Sequence, residues 1–319
     1  MQNKFSILNN KTILITGGAG AIGSNLVKFL SNYDCEIIIL DDLSSGYREN
    51  IPTKKNIVFI KDSILNEKIL KKIFKRKIDF IFHLAAHFAN QNSIDHPKQD
   101  LLTNTLGTLN LLEYANLGSV KRFIYSSTSC VYGHDDRKLR EDFATKLETP
   151  YAISKLTGEE YTHFFYRYYN MKTTVVRYFN SYGPYDPPGK YRNAIPNFFL
   201  RAKNKKPLII TGTGQETRNF TYVEDVVQGT VLTLTTKVSI GETYNIGSNN
   251  ETKILHLAKL INKITNNKAG IKFTSRRKWD AIKRRMTDIS KSHRDLDYEP
   301  STTLEEGLLK TWEWFRERY

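Results

Sequence analysis

The sequence predicts an α/β fold, a doubly wound parallel sheet followed by a smaller C-terminal α/β domain, and three observations predict it. Short apolar runs rich in β-branched residues alternate with helix-length amphipathic stretches as far as Tyr178. A glycine-rich turn joins the first such run to the first helix. Beyond Tyr178 the composition changes, because residues 181–193 hold three prolines, two glycines and three tyrosines, the composition of a structured loop between two units.

Taken in order, Lys11–Thr16 reads as a buried parallel strand, apolar almost throughout. A helix follows from Ile22 to Ser31, then strands at Cys35–Leu40, Asn56–Ile60 and Phe80–Leu84. Helical patterning covers Asn66–Lys75, Asp100–Asn116 and Tyr151–Asn170, with strands at Arg122–Ser126 and Thr173–Tyr178. After the loop come a helix at Ile195–Lys203, short strands, a helix at Val223–Thr235 and a last helix from Thr303. Two domains are expected, residues 1–178 and 179–319, with segments near 220–250 as candidates to return to the first.

Bulk properties narrow the function classes. With 39% hydrophobic and 25% charged residues the chain sits in the ordinary globular range and away from disorder. No apolar run approaches the roughly 18 residues that span a bilayer, and residues 1–11 carry no apolar signal segment. Two cysteines, Cys35 and Cys130, form no metal or redox spacing. His83 and His87 lack a third ligand, so no metal is expected. A cytoplasmic location without membrane association follows as the expectation. The net charge of +15 is spread along the chain with no long basic block, which reads as a solvated surface and gives no sign of nucleic-acid binding. Its densest patch, Arg276–Lys278 with Lys283–Arg285, is a candidate for holding phosphate.

Gly17, Gly20 and Gly23, spaced G-x-x-G-x-x-G, stand between strand and helix. Glycines there permit a tight turn and close backbone approach to a pyrophosphate, which the free N–H groups of Ala21 and Ile22 at the helix start also favour. Asp41 closes the second strand about 20 residues on, where a carboxylate accepts from a ribose 2′-hydroxyl and repels a 2′-phosphate. NAD is therefore expected over NADP, with Asp42 sharing the contact. Tyr151 and Lys155 stand four apart at a helix start and face one side. A phenol of pKa near ~10 is a poor base at neutral pH, and a neighbouring ammonium lowers it. Ser126-Ser127-Thr128, just after a strand, supplies a hydroxyl to relay a proton from the substrate to Tyr151.

These segments, with FHLAA (82–86), PYAISK (150–155), VRYFNSYGP (176–184), GTGQETRNFTYVEDV (212–226) and DISKSHRDLDYEP (288–300), resemble the extended short-chain dehydrogenases, above all UDP-glucose 4-epimerase and related nucleotide-sugar epimerases. The likeness runs in order from about residue 11 to the C-terminus. It implies a Rossmann-type nucleotide-binding domain with a substrate-binding domain behind it, retained NAD, a nucleotide-sugar substrate and a homodimer paired through helices. It implies Thr128, Tyr151 and Lys155 as the catalytic set and Asn104 on the cofactor side, with Ser127, Asn180, Asn193, Arg218, Arg277 and Asp280 toward the substrate. The reaction it implies is C4 epimerisation through a transient 4-keto sugar, on UDP-glucose and UDP-galactose or their N-acetyl forms. The alternatives are a 3,5-epimerase, a C4 oxidoreductase or a decarboxylase, with a GDP-sugar as a further choice. The chain departs from dehydratases and decarboxylases of this kind, which carry carboxylates where Ser129-Cys130 stand. Tyr185 stands where epimerases of UDP-glucuronate tend to have an arginine, leaving Arg284 or Arg285 to meet a carboxylate.

Overall fold

The computed structural model describes residues 2–277, 279–280 and 282–319. Its centre is a parallel sheet of seven strands: β1 (Lys11–Thr16), β2 (Cys35–Asp41), β3 (Ile57–Lys61), β4 (Phe80–His83), β5 (Arg122–Thr128), β6 (Thr173–Tyr178) and β7 (Thr243–Ile246). In space they run β3-β2-β1-β4-β5-β6-β7. The order reverses between β1 and β4, so a crevice opens at their carboxyl ends, where sheets of this kind bind ligands. Burial on both faces explains why these strands are nearly continuous apolar runs; Ile13–Ile15 and Ile37–Leu40 are completely buried.

One face is covered by α1 (Ala21–Leu30), and the other by α2 (Glu67–Ile73), α3 (Gly107–Leu117) and α4 (Pro150–Tyr169). Local chemistry sets the limits of α4. Thr149 caps it by accepting from Ala152 N–H at 3.3 Å, Pro150 occupies its first turn, and Asn170 ends it in a left-handed conformation at φ 56°. A second lobe packs α5 (Ala194–Lys203), α7 (Ile254–Ile264) and α8 (Leu304–Arg318) around Phe198, Phe199, Leu257, Ile261 and Phe315. Helix α6 (Val223–Leu232) and strand β7 return to the central sheet, with Val226, Val227 and Val231 completing the core over α1. A smaller sheet joins Glu251–Lys253, Thr217–Asn219, Arg284–Thr287 and Lys138–Leu139, so it links the second lobe to the segment after β5.

The structure departs from the sequence pattern in two places. The helix expected over 100–116 is broken into Pro97–Leu101, a wide π turn at Leu102–Leu106, and α3. The wide turn points the Asn104 amide inward, where it is completely buried and bonded on all sides. Helix α7 falls between 235 and 303, where the sequence pattern assigned no element, and is a strongly amphipathic helix burying Leu257, Ala258 and Ile261. No helix among the described residues is long and apolar enough to cross a membrane.

Candidate active site

At the carboxyl end of β1 the chain turns through Gly17–Gly20 into α1. Gly17 has φ +71°, and a Cβ there would lie 2.5 Å from the Ala85 backbone nitrogen. A Cβ on Gly23 would lie 2.2 Å from the Gly17 carbonyl oxygen. Only glycine fits either place, and the result is a bare backbone cradle opening on the cleft. Asp41 holds this cradle to the strand end, its Oδ2 accepting from Ala19 N–H and its Oδ1 from Leu43 N–H, both at 2.8 Å. Burial raises the Asp41 carboxyl, and those two backbone bonds counteract it. Asp42 accepts from Ser44 N–H at 2.8 Å and is exposed at the rim. Gly17, Gly20, Ala21, Ile22, Gly23, Asp41 and Asp42 all line one cleft. A bare cradle, a helix N-terminus and two carboxylates at the second strand's end suit NAD.

The other end of the same cleft is lined by Thr128, Tyr151, Lys155, Asn180 and Asn193. Thr128 ends β5, and its hydroxyl accepts from Cys130 N–H at 3.2 Å. Burial pushes the Tyr151 phenol above its ordinary range, and a hydrogen bond with Thr128 pulls it back. Phe88 meets the Tyr151 ring edge-on at 6.0 Å. Burial also lowers Lys155, to about 7, against the attraction of Glu159 and Asp100. Its Nζ lies 4.3 Å from the centre of the Tyr125 ring, a cation–π contact in a dry site.

Behind this set stands a buried ion pair. Arg177 donates from Nη2 to Glu159 Oε2 at 2.7 Å and from Nε to Oε1 at 3.0 Å, and Glu159 is completely buried. Ser127 lines the cleft but donates its hydroxyl to Glu159, so that hydroxyl turns toward α4 and not toward a substrate. Asn104 is placed against α4. It donates to Ser154 Oγ at 3.1 Å and Asp100 Oδ1 at 2.9 Å and accepts from His87 N–H at 2.7 Å, bracing the wall instead of lining it. His83 is completely buried between the Thr16 and Thr108 hydroxyls and kept neutral by that burial.

The remaining expected substrate residues lie on four segments: after β6, at the start of α5, on the Thr217–Asn219 strand, and between the Ile271–Thr274 and Arg284–Thr287 strands. Asn180, at φ 38°, donates to the Asn219 carbonyl at 2.8 Å, and Asn193 begins α5. Arg218 and Asp280 face each other at 3.6 Å, outside the cleft lining. Burial lowers Arg218 to about 10, with Asp280 opposing. Arg277 is exposed, 5.8 Å from the Trp279 ring centre, while Trp279 donates to Gln91 Oε1 at 2.6 Å. Lys278 lies outside the described residues. Arg285 is buried and spends its guanidinium on the carbonyls of Ser129 and Gly133, and Arg284 pairs with Glu251 at 2.7 Å. Neither arginine is free to meet a sugar carboxylate.

Several lining residues escaped the sequence reading. Asn90 Oδ1 accepts from the Thr149 hydroxyl at 2.9 Å, and its Nδ2 donates to Cys130 Sγ at 3.5 Å. Asp186 and Arg192 line the cleft from the 181–193 loop. Glu159 carried a readable signal, since it continues the four-residue spacing of Tyr151 and Lys155. No group of three or more His, Cys, Asp or Glu among the described residues could hold a metal ion.

The model of the NAD dependent epimerase/dehydratase family matches residues 13–247. An epimerase structure from Methanothermobacter thermautotrophicus is 48% identical, covers 99% of this chain and 95% of its own, and superposes with a TM-score of 0.97. The UDP-glucose 4-epimerase of Thermotoga maritima, solved with UDP-glucose, is 35% identical over 96% of this chain and 99% of its own, with a TM-score of 0.92. The UDP-N-acetyl-alpha-D-glucosaminuronate decarboxylase of Bacillus cytotoxicus is also similar, 35% identical over 96% of this chain and 98% of its own.

Proposed function

The chain belongs to the NAD-dependent epimerase/dehydratase family, and from that premise we propose that it is a C4-epimerase of nucleotide-linked hexoses, UDP-glucose and UDP-galactose or their N-acetyl forms. The observation that carries this reading is the Thr128–Tyr151–Lys155 set at the inner end of the cleft, followed by Ser129-Cys130 in place of carboxylates. NAD, held on Gly17–Gly23 with Asp41 and Asp42, supplies the acceptor and donor of the C4 hydride. Tyr151 removes the proton of the C4 hydroxyl, Thr128 orients that hydroxyl, and the Lys155 ammonium favours the phenolate. The same proton returns from Tyr151 after the 4-keto sugar has turned over, so no net redox change occurs and the cofactor stays in place. Asn180, Asn193, Arg218, Arg277 and Asp280 are assigned to the nucleoside diphosphate, which requires the 276–280 segment to turn toward the cleft.

A decarboxylase is the second reading, favoured by the 35% identical relative. It is disfavoured by the absence of an acid after Thr128 and by the engagement of Arg284 and Arg285. The exposed apolar side chains Ile153, Phe164 and Tyr168 on α4, beside Leu101 and Leu106, support a homodimer through that helix. Residues 1–178 with α6 and β7 form the nucleotide-binding unit in this proposal, and the rest the substrate-binding unit.

The test is incubation of the purified protein, without added cofactor, with each UDP-hexose, following the C4 epimers by NMR. Conversion is expected, and Tyr151→Phe should cut kcat by about 10²–10⁴-fold with sugar-nucleotide binding retained. No conversion even after NAD is supplied sinks the UDP-hexose reading, and loss of a carboxylate as carbon dioxide from a UDP-uronate would put the decarboxylase in its place.

A further inference from the structure

Three segments far apart in sequence meet over the loop that follows β2. That loop lies directly on the phosphate-binding turn: a Cβ on Gly46 would sit 2.6 Å from the Ala19 carbonyl group, and Tyr47 N–H donates to the Ala19 oxygen at 3.2 Å. From the 181–193 segment, Arg192 donates Nη2 to both the carbonyl and the hydroxyl of Ser45, each at 2.7 Å. The same segment is pinned to α1 where Asn25 Nδ2 donates to the Pro184 carbonyl at 3.0 Å. From the end of α8, Arg318 pairs with Glu49. Ser44, Ser45 and Gly46 line the cleft on one side and Pro184, Asp186 and Arg192 on the other. The Arg192–Ser45 bridge therefore joins the two walls of the cleft at its cofactor end.

We propose that Arg192 is a positioning residue that latches the 44–50 loop over the phosphate-binding turn and thereby retains NAD between turnovers. The Gly-rich turn binds a pyrophosphate through backbone N–H groups, and such a ligand leaves only when the covering loop lifts. Arg318–Glu49 is solvent-exposed and screened, so it adds little to holding the loop down. Arg192 makes two charge-assisted bonds to one residue of a loop already seated on Ala19, and these are the bonds that opening must break. The inference rests on the retained cofactor of the proposed reaction. It assigns that retention to a residue of the substrate side of the cleft, next in sequence to Asn193.

The experiment uses full-length wild type, Arg192→Ala and Arg192→Lys. NAD per chain is measured after denaturation, and the release rate is followed by converting freed NAD to NADH with an added dehydrogenase. Wild type should keep its NAD through purification, and Arg192→Ala should release it roughly 10- to 100-fold faster, the cost of two charge-assisted bonds. Arg192→Lys, which keeps the charge on a shorter side chain without the planar fork, should fall between. A folded Arg192→Ala that releases NAD at the wild-type rate overturns the latch. Should Arg192→Ala fail to fold, a wild-type rate in Arg192→Lys overturns it equally. Wild type that emerges without NAD yet epimerises when NAD is supplied overturns the latch and leaves the epimerase standing. Faster release from Arg192→Ala in a protein that turns over no UDP-hexose supports the latch while the epimerase reading falls.

Discussion

Replacing Glu159 with glutamine tests the support behind α4, which carries Tyr151 and Lys155, at the level of a single charge. Glu159 is completely buried and accepts from Ser127 Oγ, Arg177 Nε and Arg177 Nη2. Glutamine keeps the shape and one acceptor, but its amide nitrogen then faces the guanidinium, donor against donor. Arg177 retains Tyr132 Oη at 2.8 Å and the Glu141 carbonyl at 3.4 Å, so its charge keeps two partners and loses its counter-ion. Removing one member of a buried pair costs about 3–5 kcal/mol, and the two surviving acceptors place this case near 3 kcal/mol. Urea unfolding at pH 7 measures it as a lower midpoint with an unchanged slope. The same substitution removes one of the two acids that hold Lys155 protonated, the other being Asp100. The Lys155 ammonium, already brought to about 7 by burial, then falls further. Since the charged lysine favours the phenolate, the alkaline limb of the kcat profile should move to lower pH. A Glu159→Gln protein with wild-type stability and a wild-type pH profile would refute both the pairing energy and the link to Lys155.

Two further perturbations probe the cleft. Gly23→Ala places a Cβ 2.2 Å from the Gly17 oxygen and 2.7 Å from the Gly18 Cα, backbone atoms that cannot swing aside. The phosphate turn must open by about 1 Å to restore ordinary contact, so the purified variant should lack NAD while its far-UV spectrum stays native; full NAD content would contradict the cradle. Asp186 is pushed up to about 7 by burial, with Arg192 opposing. Its folded value lies above its unfolded one, so the stability it contributes is complete below about pH 4 and is lost as pH rises through 7. The shift bounds that loss at about 4 kcal/mol. Asp186→Asn should flatten the decline in urea midpoint between pH 4 and 7, and an unchanged slope would sink the assignment.

What the sequence made legible lies along single elements. Gly17, Gly20 and Gly23 declare themselves by spacing within one turn, and Tyr151 with Lys155 by spacing on one helix face. Ser127 shows how the same local logic reaches further than a motif. Side chains alternate along a strand, so Ser126 and Thr128 share one side of β5 and Ser127 the other. Ser127 accordingly meets Glu159 on α4, and strand parity alone separates it from the hydroxyl that reaches Tyr151. Contacts made between elements left no such trace. Arg192 and Ser45 are 147 positions apart, and nothing in residues 181–193 says which wall they face. Asn104 reads as one helical position among seventeen in 100–116, because a π turn depends on what its side chain finds inside the fold.

Between these extremes lie buried charges, whose sequence signal is the cost they would incur alone. Arg177 interrupts the apolar strand TTVVRY, and Glu159 falls on the inner face of α4 at the spacing of Tyr151 and Lys155. Each unpaired would be ruinous in a dry interior, so each implies an opposite charge within reach, and they find one another at 2.7 Å. Arg122 obeys the same rule differently. It stands at the start of β5, is equally buried, and takes no acid among the described residues; the carbonyl of Thr233, which caps α6, and that of Thr236 just beyond receive it at 2.7 and 3.2 Å. The negative end of a helix does there what Glu159 does for Arg177, and binding β5 to α6 in this way draws the 223–246 segment back onto the first sheet.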